Sequence, residues 1–126
     1  MKKRERELLG RIARHPAVTL FRRKVYGALL EVPRGCVTTY GSLARRVECG
    51  SAQAVGGALR ANPFAPDVPC HRVVAADLSV GGFCGCRAGE PILRKIALLK
   101  SEGVPVDGAG RLSDKRFVWT WKSGWK

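Results

Sequence analysis

Apolar positions along the chain fall into a few runs with different periods. Phe21, Val25, Ala28, Leu29 and Val32 recur at helical spacing, and Pro33 stops the run, so a core helix is predicted there. After the turn "PRG", Thr38 or Thr39 can cap a second helix reaching Val47 and buried by Tyr40, Leu43, Ala44 and Val47. Gly50 and Ser51 end that helix and cap a third, "AQAVGGALRAN"; two short helices across a tight turn read as a helix-turn-helix. Asn62-Pro63 and Pro66 mark a loop, and "CHRVVAA" reads as a short β-branched strand entering the core. Upstream, residues 1–15 are strongly basic, with Leu8, Leu9 and Ile12 indicating a short amphipathic helix or a solvated tail. Near the other end Phe117, Trp119 and Trp121 alternate, as in a strand with one aromatic face on the domain. Interleaved Lys115, Arg116, Lys122 and Lys126 leave open a stacking platform for bases.

Composition narrows what such a domain can do. A chain of 126 residues is sized for one domain. Its formal net charge of +13 calls for a polyanionic partner, nucleic acid or an anionic surface. No apolar run approaches the length of a membrane-spanning helix, and the charged start "MKKRERELLGRIARH" is not built like a signal peptide, so the expected setting is intracellular and the expected partner is not a membrane. Five cysteines without framework spacing suit a reducing compartment, with no disulfides expected.

Two stretches point to chemistry. In "AQAVGGALRAN", Ala52, Ala54, Gly56, Gly57, Ala58 and Ala61 leave a helix face with almost no bulk, although each glycine weakens a helix by about 1 kcal/mol relative to alanine. Tight packing against another helix and entry into a DNA groove with Arg60 projecting from the end both explain this, and the net charge tilts the balance to DNA. In "DVPCHRVVAAD", Cys70 and His71 stand side by side. A lone cysteine is most often a small buried hydrophobe. A nucleophilic one needs its thiolate, which an imidazole and a positive field favour. On an extended strand neighbouring side chains point to opposite faces, so His71 reaches the sulfur only through a bend or a bridging water.

Together, "FRRKVYGALLEVPRGCVTTYGSLA", "AVGGALRANP", "PCHRVV" and "LLKSEGV" resemble the O6-alkylguanine-DNA alkyltransferases, the methylated-DNA-protein-cysteine methyltransferases, from Phe21 to Val104. The resemblance implies an α/β, mostly helical domain with a winged helix-turn-helix. It also implies a suicidal, cofactor-free transfer of the alkyl group from O6-alkylguanine, flipped out of double-stranded DNA, onto cysteine. By this resemblance Cys70 is the alkyl acceptor, His71 the general base acting through water, Glu102 the carboxylate on the histidine's other nitrogen, and Asn62 the brace of the turn beneath the site. Such a relay is sound chemistry, because a carboxylate fixes the tautomer and stabilises the imidazolium. Tyr40 matches the tyrosine that helps rotate the target nucleotide, while Ala52, Gln53, Gly56 and Arg60 lie on the DNA-contacting helix. Val73 and Val80 would supply main-chain groups to the base, and "VGGFCGC", with Phe83 and Cys84, the pocket loop.

The sequence also departs from the family pattern. Residues 1–20 form a basic extension too short for the N-terminal domain most members carry, leaving residues 21–126 as the alkyltransferase domain. The domain is expected to act as a monomer, and whether a separate protein supplies the missing part is open. Gln53 stands where the family has an arginine that fills the gap left by the flipped base. The stretch "CGCRAGEPILRK" is longer than usual, and Cys84-Gly85-Cys86 is poor zinc spacing, so no metal is expected. Two rival readings remain: an alkyltransferase-like protein that binds lesions without transfer, a group that usually replaces the cysteine, and a helix-turn-helix regulator with a redox cysteine.

Overall fold

A computed structural model of the chain describes residues 3–80 and 89–121. Helix α1, Lys3–Arg14, buries Leu8 and Ile12 one turn apart, and Arg11 and Arg14 sit in its last turn where the helix dipole favours cations. The basic extension is thus embedded along one stripe rather than solvated all round. Thr19 caps α2, Leu20–Leu29, by accepting from the Arg22 amide, and α2 buries Val25, Tyr26, Ala28 and Leu29. The turn after it passes through Gly35 at φ 92°, where a side chain would be strained and would also press on the Glu102 carbonyl 3.4 Å away. Arg34 fastens the same turn to the end of the last helix, donating to the Ser101 carbonyl at 3.1 Å.

Strand β1, Thr38–Thr39, leads directly into α3, Tyr40–Arg46, and Thr39 accepts from the Ser42 amide as its cap. A turn with Glu48 in the left-handed region at φ 57° precedes Ser51, which caps α4, Ala52–Arg60. α3 and α4 pack on each other and on α2, completing the helix-turn-helix. Beyond a loop, Cys70–Arg72 form a 3₁₀ turn and strand β2 is only Val73–Val74, pairing in parallel with β1 so that Thr38 faces Val73 and Thr39 faces Val74. The strand expected from "CHRVVAA" is therefore shorter. The Cys70 amide bonds to the Val68 carbonyl and the Arg72 amide to the Pro69 carbonyl, which closes a turn before the two valines extend.

Helix α5, Glu90–Ser101, closes the fold. Val73 belongs to a helical core with Val25, Leu29, Leu43 and Val55, and Val74 to a second core with Val37, Leu99 and Val104, as alternation along a strand requires. The Cys70 turn lies at this junction. The aromatic alternation near the C-terminus is not a strand: Phe117 ends a 3₁₀ turn capped by Asp114 and joins the second core, whereas Trp119 and Trp121 pack on the first. Trp121 is held there by its indole N–H to Glu31 at 2.6 Å, with the Arg46 guanidinium over its ring. Among the described residues no helix is long and apolar enough to cross a membrane.

Candidate active site

The 3₁₀ turn supplies the bend that an extended strand lacks, so Cys70 and His71 project from one tight turn, 8% and 2% exposed. Cys36, Cys49 and Cys70 form no disulfide. The loop feeding the turn is braced by Asn62, whose amide donates to the Val68 carbonyl at 2.9 Å while its oxygen accepts from the Phe64 amide at 2.9 Å. An alanine there would strip both ends of the brace.

Glu102, at the end of α5, meets His71 and Arg72 together. Its Oε2 lies 3.1 Å from His71 Nε2, and Arg72 grips both carboxylate oxygens at 2.8 and 2.9 Å while donating to the Val32 carbonyl at 3.0 Å. The His71 contact has ion-pair distance but lies off the ring N–H direction, so it is a weaker link than the arginine fork. Burial holds the His71 pKa below its usual value against the opposing pull of Glu102, which keeps the ring neutral at pH 7. A carboxylate only accepts, so the neutral ring carries its proton on Nε2 and its lone pair on Nδ1, which is buried and has no hydrogen-bond partner among the described residues. Burial pushes the Glu102 carboxyl up, but the hydrogen bonds from Arg72 and the close His71 ring outweigh it and leave the pKa below the usual value.

Two residues that the motifs did not single out for chemistry belong to this site. Arg72 fixes the carboxylate. Lys95 is 0% exposed, and its Nζ donates to the Val73 carbonyl at 2.7 Å and also to the Val80 carbonyl. Burial lowers its pKa to about 8, while the neighbouring Cys70 acts to raise it. A signal was present: Lys95 falls on the stripe Ile92, Ile96 and Leu99 that packs α5 into the second core. The Val73 and Val80 carbonyls, both expected at the pocket, each accept from Lys95, which leaves each a second lone pair, and the Val80 amide donates to the Gly110 carbonyl. Phe83 and Cys84, the other expected pocket residues, lie outside the described residues.

The expected DNA-contacting residues gather around the helix-turn-helix. Val55, Ala58 and Leu59 face inward from α4, while Ala52, Gln53 and Arg60 are exposed. Among the described residues a Cβ at Gly56 or Gly57 would meet no atom outside α4's own backbone within 4 Å, so packing among them does not demand glycine at either position. Tyr40, the first residue of α3, is half-buried against the helical core.

A family model described as 6-O-methylguanine DNA methyltransferase, DNA binding domain, matches residues 20–104. The methylated-DNA--protein-cysteine methyltransferase of Thermococcus gammatolerans is 54% identical over 88 residues, 69% of this chain and 47% of that protein. Its counterpart from Haemophilus influenzae is 35% identical over 112 residues, 88% of this chain and 60% of that one. The chain thus spans about half the length of the curated relatives it matches. Among solved structures, Mycobacterium tuberculosis OGT in complex with DNA is similar with a TM-score of 0.59 and 42% identity, over 67% of this chain and 50% of that one. S. pombe Atl1, solved with damaged DNA containing O6-carboxymethylguanine, is similar with a TM-score of 0.68 and 30% identity, over 79% of this chain and 94% of that one.

Proposed function

Because the chain belongs to the 6-O-methylguanine DNA methyltransferase family through its DNA-binding domain, we propose that it repairs O6-alkylguanine in duplex DNA by moving the alkyl group irreversibly to Cys70. The observation that carries this reading is the buried Cys70–Arg72 turn, which sets a thiol beside a neutral imidazole backed by Glu102. His71 Nδ1 takes the thiol proton through water, and Glu102 steadies the resulting imidazolium. Lys95, when charged, favours the thiolate electrostatically. The sulfur then bonds to the alkyl carbon as the carbon–O6 bond breaks. The electron pair stays on guanine, which takes up one proton to leave neutral, and the alkylated thioether ends the protein's working life.

Delivery of the base falls to the helix-turn-helix. α4 enters a groove with its slim exposed face, where Gly56 and Gly57 admit close approach, and Gln53 fills the gap left by the extruded nucleotide. Arg60 reaches a phosphate, and Tyr40 helps turn the target nucleotide.

A second reading, lesion binding without transfer, draws on the coverage of nearly the whole Atl1 chain. Cys70 separates the two. With a duplex bearing one O6-methylguanine, the transfer reading expects one lesion removed per protein molecule and none by Cys70→Ser, which still binds the duplex. Binding by the unaltered protein with the lesion left intact would select the second reading.

A further inference from the structure

The recognition helix and the Cys70 loop are fastened together by a residue that the helical pattern does not mark. Tyr26 of α2 is 0% exposed, and its hydroxyl donates to the Ala58 carbonyl at 2.7 Å. That carbonyl belongs to the last turn of α4, where the Asn62 amide that would close on it in a continuing helix turns to Leu59 instead. Tyr26 therefore caps α4 from a neighbouring helix. Its ring also stands edge-on to Phe64, with centroids 6.2 Å apart. Phe64 lies inside the Asn62 brace, on the loop that ends at Cys70. On its other sides Phe64 meets His15, edge-on at 5.4 Å, and the Arg11 guanidinium, 5.6 Å from the ring centre, both from the N-terminal segment. Phe64 is 5% exposed and cannot shift without moving these neighbours.

We propose that Tyr26 is a positioning residue that locks the DNA-bound recognition helix in register with the Cys70 loop, with Phe64 as the intermediary. This rests on the reading of Cys70 as alkyl acceptor. Transfer needs the alkyl carbon within about 3–3.5 Å of the sulfur. The DNA is held by α4 and the sulfur by the loop, so any slack between the two is felt at the reacting atoms. A free base does not depend on α4, because it enters the pocket without DNA.

Tyr26→Phe keeps the ring and removes the hydroxyl. Single-turnover transfer from an O6-methylguanine duplex is expected to fall about tenfold, while transfer from free O6-benzylguanine and affinity for the duplex stay within about twofold. Phe64→Leu, which keeps apolar bulk but loses the ring contacts, is expected to give the same split. Equal losses with both substrates, or no loss with either, would overturn the proposal. Hydrogen exchange needs no transfer and separates this proposal from its premise. Duplex binding should slow amide exchange across residues 62–70 in the unaltered protein and much less in Tyr26→Phe. Equal protection in the two proteins would refute the coupling even if neither transferred an alkyl group.

Discussion

Replacing Lys95 with methionine keeps an unbranched chain of similar length and removes a buried charge. Lowering an ammonium pKa from 10.5 to about 8 means the folded protein pays about 3 kcal/mol to hold that proton at pH 7. The sign follows from proton counts. Between pH 8 and 10.5 the unfolded chain binds a proton that the folded one has released, so stability rises with pH across that window. About 2.5 kcal/mol of the cost is relieved between pH 7 and pH 10. At pH 7 the substitution removes the charge cost but leaves the Val73 and Val80 carbonyls without this donor, at about 1–3 kcal/mol each. The two effects largely offset, so the pH dependence is the clean readout. Urea unfolding of both proteins at pH 7 and pH 10 should show the unaltered protein gaining about 2.5 kcal/mol over Lys95→Met. An identical pH dependence in the two proteins would refute a buried, charged Lys95. Alkylation of Cys70 by iodoacetamide, followed on its peptide, should shift to higher pH in the same variant.

Gly56→Ala should stabilise the protein by up to about 1 kcal/mol in thermal unfolding, since a Cβ there meets no neighbouring element among the described residues, yet weaken duplex binding in a fluorescence titration. Unchanged affinity would remove α4 from the interface. Gln53→Arg should speed transfer from duplex DNA and leave free O6-benzylguanine unaffected, because arginine adds charge-assisted bonds to the orphan base or its phosphates; equal changes with both substrates would exclude a gap-filling role. Glu102→Gln strands a mostly buried Arg72 and should lose about 3 kcal/mol at pH 7. The Glu102 pKa is depressed, so its contribution is present at neutral pH and lost as pH falls through the folded value; the variant's acid unfolding limb should be correspondingly flatter.

The helices were legible because period and caps agree. Thr39 and Ser51 sit at the starts of α3 and α4, and Val55, Ala58 and Leu59 fall on one inward face. Motif resemblance gathered Cys70, His71, Glu102 and Asn62, and the fold brings Cys70, His71 and Glu102 to the Cys70 turn with Asn62 bracing the loop before it. The missed features depend on contacts distant in sequence. Nothing near Tyr26 announces a bond to Ala58, 32 positions away, and Arg72 reads as a flank until Glu102 folds onto it. The strand was overdrawn because β-branched propensity resides in Val73 and Val74 alone, whereas Pro69 and Val68 supply carbonyls that close a turn just before them.

Mass spectrometry of the protein after incubation with an O6-methylguanine duplex separates alkyl transfer to Cys70 from binding alone. Transfer adds one methyl group per molecule, located on the peptide that carries Cys70 and absent after incubation with the unmodified duplex. A methyl group on another cysteine, or a lesion bound while every peptide keeps its unmodified mass, would contradict it.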